Sequence, residues 1–285
     1  MKCTEDIVST KFSKDELKAE YALNADGSCE TNDYGQKIST KPAPEYFVVG
    51  DVECRTLWYT KYKNAVHSEQ KVFGTFLDSA VSVVIRREVI MKSCKIKRHF
   101  ARFRRCDLEQ YIASKKKQKG FHAMIDKGFR GFYFDIDKKV SSASIAEFEQ
   151  EEKRVLDSAC DVIVKTFNSK TRFFRTRTSP GITRESLAID KAGSFKRKKI
   201  SFHIVIPGFK ASCRKGLHRF VKECEKLCPE IDSAPYGEKA SLRLPECSSK
   251  NEKNHLKCIT GHSYSERLPW PTEEYKKADF FFAED

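Results

Sequence analysis

The order of hydrophobic periods between residues 131 and 246 is the feature that most limits the fold. Strand-like segments, in which apolar and polar residues alternate, are interrupted twice by segments whose apolar residues recur at helical spacing. The order strand, helix, strand, strand, helix, strand is that of the split βαβ unit. The segments are GFYFDID (131–137), 141–167, TRFFRTRT (171–178), KISFHIVI (199–206), 215–228 and ASLRLPE (240–246).

This pattern predicts an α+β fold with an RRM-like module, whose helices cover one sheet face and leave the other face free for a site. Ser141 or Ser142 is expected to cap the first helix, and Pro207-Gly208 to end the strand before the second. Strand-like runs at 46–49 and 81–85 indicate a smaller α/β module before it. The expected division is an N-terminal helix (14–23) with a linker in 1–44, the smaller module in 45–127, the RRM-like module in 128–275 and a tail in 276–285.

Positive charge is concentrated in two stretches of this 285-residue chain, whose formal net charge is +14. Residues 86–130 hold fifteen Lys and Arg against four Asp and Glu, and residues 170–199 hold ten against two, so the remainder is net −5. Aromatic residues lie within both stretches. Cations that neutralise phosphates beside rings that stack on bases indicate a nucleic-acid partner, and the alternative is a basic solvated surface.

Several classes of protein are disfavoured. No apolar run approaches the roughly 20 residues of a membrane span, and the N-terminus is too polar for a signal peptide. The eleven cysteines include no Cys-x-x-Cys pair, so we expect reduced thiols and an intracellular, non-secreted protein in the nucleus, the cytoplasm or a viral replication site. No zinc is expected at Cys224 and Cys228, because Cys224 lies on the apolar stripe of its helix, or at Cys247, His255, Cys258 and His262, where no Cys-x-x-Cys pair supports it.

Strand alternation places charged residues together on what could be one open face. Asp135 and Asp137 share a face of the first strand, Lys199, Ser201 and His203 share a face of the third, and Arg243 faces outward from the last. Two carboxylates so close repel unless a cation lies between them, and their hard oxygens suit Mg²⁺ or Mn²⁺. The cationic and hydroxyl side chains would then bind phosphates. Each pattern alone also fits an ordinary exposed strand.

The segments FYFDID, KISFHIVI and 231–250 resemble motifs I, II and III of the archaeo-eukaryotic primase superfamily. The nearest branches are the PrimPol-like enzymes and the primase domains of poxvirus-type primase-helicases. The resemblance covers roughly residues 95–265. It implies a primase catalytic core in which the RRM-like module carries the active site and the basic module lies on the template side.

The resemblance also implies roles for individual residues. Asp135, Asp137 and Asp232 would hold two Mg²⁺ or Mn²⁺ ions and be the catalytic carboxylates. The incoming nucleotide would be bound by Lys199, Ser201, His203, Arg243 and Lys250. Template contacts would come from Arg98, Arg102 and Arg104, a placement that no motif fixes.

The implied activity is a DNA-directed primase-polymerase, a nucleotidyltransferase that starts and extends primers on single-stranded DNA in replication or damage tolerance. Its partners would be template, nucleoside triphosphates and a replicative helicase or single-strand-binding protein, with no membrane. Three alternatives stay open: a non-catalytic RRM-like nucleic-acid-binding module, a polymerase of the same superfamily that extends without priming, and an Asp-x-Asp glycosyltransferase.

Overall fold

The computed structural model describes residues 43–49, 52–60, 65, 82–90, 96–115, 120–125, 130–173, 176, 178–236, 240–248, 255–270 and 275–280. The predicted helix at 14–23 lies outside these residues. The described helices are Arg105–Ala113 (α1), Ile145–Lys170 (α2) and Arg214–Leu227 (α3). The described strands are Ala43–Val49 (β1), Val52–Trp58 (β2), Ser82–Ile90 (β3), Ile96–Arg104 (β4), Phe121–Met124 (β5), Gly131–Lys139 (β6), Thr171–Phe173 (β7), Ala188–Lys191 (β8), Lys199–Ala211 (β9), Ile231–Asp232 (β10), Ser241–Arg243 (β11), Lys257–Cys258 (β12) and Lys276–Phe280 (β13).

The described strands form a two-stranded hairpin, β1–β2, and two larger sheets. Sheet 1 has the order β10-β6-β9-β13-β7, with β8 paired to β9 and β12 paired to β8. Sheet 2 has the order β11-β5-β3-β4. The chain therefore has a mixed α+β fold, and its path β6-α2-β8-β9-α3-β10 follows the split βαβ order in sheet 1. The second strand of this order is β8 and not the predicted segment 171–178, in which β7 is the described strand, paired with β13.

Both long helices pack on one face of sheet 1. Phe132, Phe134 and Ile136 of β6 are fully buried. The ring of Phe132 lies 5.0 Å from that of Phe167 in α2 and 5.7 Å from that of Phe220 in α3. The period-2 pattern of β6 and the helical pattern of α2 and α3 thus meet in one core, as the sequence predicts, and the other face of β6 carries the charged residues.

The first helix begins later than expected. Ser144, not Ser141 or Ser142, is the N-cap of α2, and its hydroxyl accepts a hydrogen bond from the backbone N–H of Glu147 at 3.2 Å. The Glu147 carboxylate accepts one from the backbone N–H of Ala143 in return. Ser144 and Glu147, three residues apart, thus each cap a backbone N–H at this end of the helix, and this pair determines where α2 starts.

Pro207-Gly208 does not end the strand, because β9 continues to Ala211. The register with β6 shifts here, since Phe132 pairs with Ile206 and Gly131 with Lys210. The proline and Gly208, whose φ is +75°, fall in this irregularity, where a ladder donor is not required.

Two further expectations differ from the structure. The segment 276–280, expected in the tail, is strand β13 between β9 and β7. ASLRLPE, expected as the last strand of the RRM-like sheet, contains β11 and belongs to sheet 2. The strand that completes the split βαβ order is instead the two-residue β10, which is too short to show a period.

Candidate functional site

A row of polar residues crosses sheet 1 on the face away from the helices. Asp232 lies opposite Asp135, Asp135 lies opposite His203, and His203 lies opposite Asp190, on β10, β6, β9 and β8 in turn. Directly opposed residues in antiparallel strands project their side chains to the same face. The register therefore brings two of the predicted carboxylates and the predicted histidine side by side.

Asp135 is the residue in this row with the least satisfied charge. Its Oδ1 is buried and has no hydrogen-bond partner within the described part of the chain, although His203 Nε2 lies 3.5 Å away. Burial, followed by the charges of Asp137 and Asp232, raises the pKa of Asp135 to about 7. The site therefore holds a carboxylate that a cation would stabilise.

His203 is buried and its pKa lies well below the usual value, because of burial first and then the positive charge of Arg243. It is therefore neutral, and its contact with Asp135 is not an ion pair. A neutral imidazole offers one N–H donor, which suits binding of a phosphate oxygen. The ring of Tyr133 packs edge-on against it at 5.3 Å.

The next positions along β6 and β9 bring Asp137, Ser201 and Lys199 together. Asp137 lies opposite Ser201, and Lys139 lies opposite Lys199. Lys199 Nζ donates to Asp137 Oδ2 at 2.7 Å, with both side chains about 40% exposed. The buried hydroxyl of Ser201 has no hydrogen-bond partner among the described residues. The face was expected to be open, yet Ser201 and His203 are both buried.

Asp232 is positioned by the turn that follows β10. Its Oδ1 accepts a hydrogen bond from the backbone N–H of Ala234 at 2.8 Å. Two residues further on, the hydroxyl of Tyr236 accepts from the backbone N–H of Tyr133 at 2.9 Å and donates to the Tyr133 carbonyl. This turn is thereby attached to β6, next to Asp135.

Arg243 was predicted on a strand of the RRM-like sheet, but β11 places it in sheet 2. It lies opposite His122 on β5, which lies opposite Arg86 on β3. Burial is the main influence on the pKa of Asp135 and on that of His203, and the charge of Arg243 lowers both, so Arg243 lies near these two residues. Residues of both sheets therefore contribute to the site, and we call the region where the Arg243 row and the Asp135 row come near each other the cleft.

Three side chains in this cleft were not predicted from the sequence. Arg86 and His122 extend the Arg243 row, and burial, followed by the charge of Arg86, lowers the pKa of His122 to about 3. Asp190, beside His203, forms a buried ion pair with Arg267 at 2.7 Å. The alternation of His122 with buried Phe121 and Ala123 was the available signal for that residue.

The other predicted residues lie on β4 or outside the described chain. Arg98 and Arg102 lie on the same face of β4 as Phe100, which pairs with Arg86. The side chain of Arg98 is 60% exposed, and its Nε lies 3.6 Å from the Glu88 carboxylate. Arg104 is the last residue of β4, and Lys250 lies outside the described residues. Thus Lys199, Ser201, His203 and the three aspartates share one face of sheet 1.

Within the described ranges, no group of three or more His, Cys, Asp or Glu side chains is arranged to enclose a metal ion. Asp137 is paired with Lys199, and Asp232 accepts from the turn after β10. The donor chemistry nevertheless fits Mg²⁺ or Mn²⁺, because all three carboxylates supply hard oxygens and the buried Oδ1 of Asp135 is unsatisfied.

Six cysteines are free thiols in the described part of the chain: Cys160, Cys213, Cys224, Cys228, Cys247 and Cys258. Four of them, Cys160, Cys224, Cys228 and Cys247, are buried, as expected for small apolar side chains. At the segment considered for zinc, His255 Nδ1 lies 2.9 Å from the Glu246 carbonyl oxygen and His262 Nδ1 lies 2.9 Å from Thr260 Oγ1. These contacts attach His255 to the segment after β11 and His262 to its own loop.

No protein-family model matches the chain, and no curated protein matches it. None of the described helices is long and apolar enough to cross a membrane. A proposal of function therefore depends on the cleft itself.

Proposed function

We propose that the chain is a DNA primase-polymerase of the archaeo-eukaryotic primase type, a nucleotidyltransferase that starts and extends primers on single-stranded DNA. The observation that carries this proposal is the cleft in which Asp135, Asp137 and Asp232 face the cationic row of Arg243. Acidic oxygens opposite phosphate-binding donors match a reaction in which a metal-bound triphosphate reacts with a hydroxyl.

The three carboxylates would hold two Mg²⁺ or Mn²⁺ ions. Such ions neutralise the charge that develops on the α-phosphate and align the 3′-hydroxyl with it. The pKa of Asp135 is raised first by burial and then by the charges of Asp137 and Asp232, and a metal ion would offset both effects, which supports this role. Asp137 would exchange its contact with Lys199 for the metal.

Phosphate binding falls to the residues on both walls of the cleft. Lys199, once released from Asp137, would bind a non-bridging oxygen, and the neutral His203 and the unpartnered Ser201 hydroxyl would each donate a hydrogen bond. Arg243 would bind from sheet 2, and Lys250 is assigned by the motif alone. Arg98, Arg102 and Arg104 would bind template phosphates from β4.

One assay tests the proposal. Single-stranded DNA, labelled nucleotides and Mg²⁺ or Mn²⁺ are incubated with the wild-type chain, with Asp135→Ala and Asp137→Ala, and with Asp161→Ala on the exposed side of α2 as a matched control. New primers from the wild type and the control, with none from the two cleft variants, are the expected result. If the protein extends supplied primers but starts none, it is a polymerase that does not prime. Full activity of Asp135→Ala would overturn it, and binding without synthesis would indicate an RRM-like binding module.

A further inference from the structure

Four consecutive cations, Lys196, Arg197, Lys198 and Lys199, end the turn between β8 and β9 and begin β9. The first three are exposed. Lys139, also exposed, lies at the end of β6 opposite Lys199. No Asp or Glu occurs in the sequence between Asp190 and Glu223. The carboxylates at this end of sheet 1 come from other elements: Asp137 pairs with Lys199, and Glu151 and Glu230 pair with Lys138. We call residues 194–199 together with Lys139 the basic hairpin.

The backbone of the basic hairpin is well ordered by its own hydrogen bonds. The Ser194 N–H donates to the Lys199 carbonyl at 2.8 Å, and the Val140 N–H of the neighbouring strand donates to the Lys198 carbonyl at 2.9 Å. Phe195 anchors the turn, because its ring packs edge-on against Phe148 of α2 at 5.9 Å. The cations are thus presented by a fixed backbone, which lowers the entropy cost of binding a ligand.

The free protein carries two unfavourable features at this hairpin. Lys139 and Lys199 are like charges directly opposite each other on neighbouring strands, an arrangement that destabilises a sheet. Lys198 adopts the left-handed region at φ +50°, where a non-glycine residue is strained. The Lys199 charge is offset by Asp137, whereas the ion pairs of the described residues include none with Lys139, Lys196 or Lys198. An anionic ligand would offset that repulsion.

We propose that the basic hairpin binds the phosphodiester backbone of the nucleic-acid strand that leaves the cleft. This inference rests on the proposed function, which places the nucleotide in the cleft. Lys199, paired with Asp137, is the residue at which the cleft and the hairpin meet. A nucleotide held by Asp135, Lys199 and Arg243 has its phosphates inside the cleft. The exposed cations of the turn lie beyond Lys199 at the strand ends, where a continuing strand has phosphates and a free nucleotide has none.

Binding of a fluorescent single-stranded 20-mer, measured by anisotropy over a range of salt concentrations without metal or nucleotide, tests this inference. The variant is Lys196→Ala/Lys198→Ala in the full chain. The matched control is Lys165→Ala/Lys222→Ala, which removes the same charge from exposed positions of α2 and α3 on the opposite face of sheet 1. The hairpin variant should bind roughly tenfold more weakly, and its log–log salt slope should be smaller by about 1.4, or about 0.7 for each lost phosphate contact.

The outcome is decided by comparing the oligonucleotide affinities of the two double variants. Equal thermal midpoints of both variants show that both are folded. Equal affinity of both for the oligonucleotide would overturn the inference. A second arm measures binding of a non-hydrolysable nucleoside triphosphate with Mn²⁺. A loss there with oligonucleotide binding intact would place the hairpin in the nucleotide site and also overturn it. A third outcome separates the two proposals. If the wild type synthesises no DNA, yet the hairpin variant binds the oligonucleotide more weakly than the control does, the hairpin inference holds and the proposed function fails.

Discussion

Asp135 is the residue on which the proposed chemistry depends, and its pKa is raised first by burial and then by charged neighbours. These neighbours are the acids Asp137 and Asp232, whereas the adjacent His203 is neutral. The sequence predicted that Asp135 and Asp137 share a face and that His203 lies on the next strand. It could not show that Ser201 and His203 would be buried, because the covering wall comes from distant residues.

Asp135→Asn should stabilise the metal-free protein, and more at pH 8 than at pH 5. The folded pKa of Asp135, about 7, lies above the ordinary value, so the stability it contributes is complete at low pH and is lost as the pH rises toward 7. Asparagine does not ionise. The gain in unfolding free energy at pH 8 should exceed that at pH 5 by roughly 2 kcal/mol in urea titrations with EDTA. Equal gains at both pH values would contradict a raised pKa.

Lys199→Ala should separate nucleotide binding from metal binding. The lysine would contact a phosphate, so its loss should weaken binding of a nucleoside triphosphate roughly tenfold. It also occupies Asp137 in the free protein, so Mn²⁺ binding without nucleotide should stay equal or become tighter. Calorimetric titration measures both, with Lys165→Ala as the control. Weaker Mn²⁺ binding in Lys199→Ala would contradict the proposed exchange.

At the scale of single elements, length and period decided what could be predicted. The long strands β6 and β9 and helices α2 and α3 repeat their pattern often enough to be recognised. The two-residue β10 is too short for a period, and nothing local shows that β11 pairs with β5. The connection between β8 and β9 needs a glycine, Gly193, because the neighbouring backbone leaves no room for a Cβ atom, which the sequence alone does not show.

Gly193 lets the chain pass against the backbone of motif II. Its N–H and that of Ala192 both donate to the Ser201 carbonyl, as in a β-bulge. A Cβ at this position would lie 2.5 Å from the Lys199 carbonyl oxygen and 2.6 Å from the Ser201 nitrogen, both backbone atoms. Gly193→Ala must therefore displace the two residues that would bind phosphate.

Gly193→Ala should lower the thermal midpoint and weaken nucleotide binding together. Gly261→Ala is the control, because Gly261 has φ +75° and open space around its Cβ position, so its cost is about 1 kcal/mol of backbone strain. The control should leave nucleotide affinity unchanged. Unchanged nucleotide affinity in Gly193→Ala would show that the bulge does not position motif II.

At the scale of the whole molecule, the site exists because two sheets face each other. One buried cation connects them: Arg267 contacts Asp190 of β8 at 2.7 Å and Glu246, just after β11, at 2.8 Å. Arg105 at the start of α1 also donates to the Ser265 carbonyl at 2.6 Å. Such pairings between residues far apart in sequence leave no local pattern, which explains why Arg243 was placed in the wrong sheet.

Arg267→Ala should destabilise the chain by about 3 to 5 kcal/mol, because it leaves the Asp190 carboxylate buried without its partner. Burial already raises the pKa of Asp190 despite the arginine. The double variant Asp190→Asn/Arg267→Ala should recover part of the loss, since the buried charge is then absent. Urea unfolding measures both. A single variant as stable as the wild type would show that this ion pair does not hold the sheets together.

Binding of Mn²⁺ in the presence of a nucleoside triphosphate, followed by electron paramagnetic resonance, tests the central claim most directly. The wild type and the control Asp161→Asn should bind the ion equally. Asp135→Asn should bind it roughly a hundredfold more weakly, because a direct ligand matters at least as much as the groups that orient ligands. Equal binding by all three proteins would contradict a metal site between the two sheets.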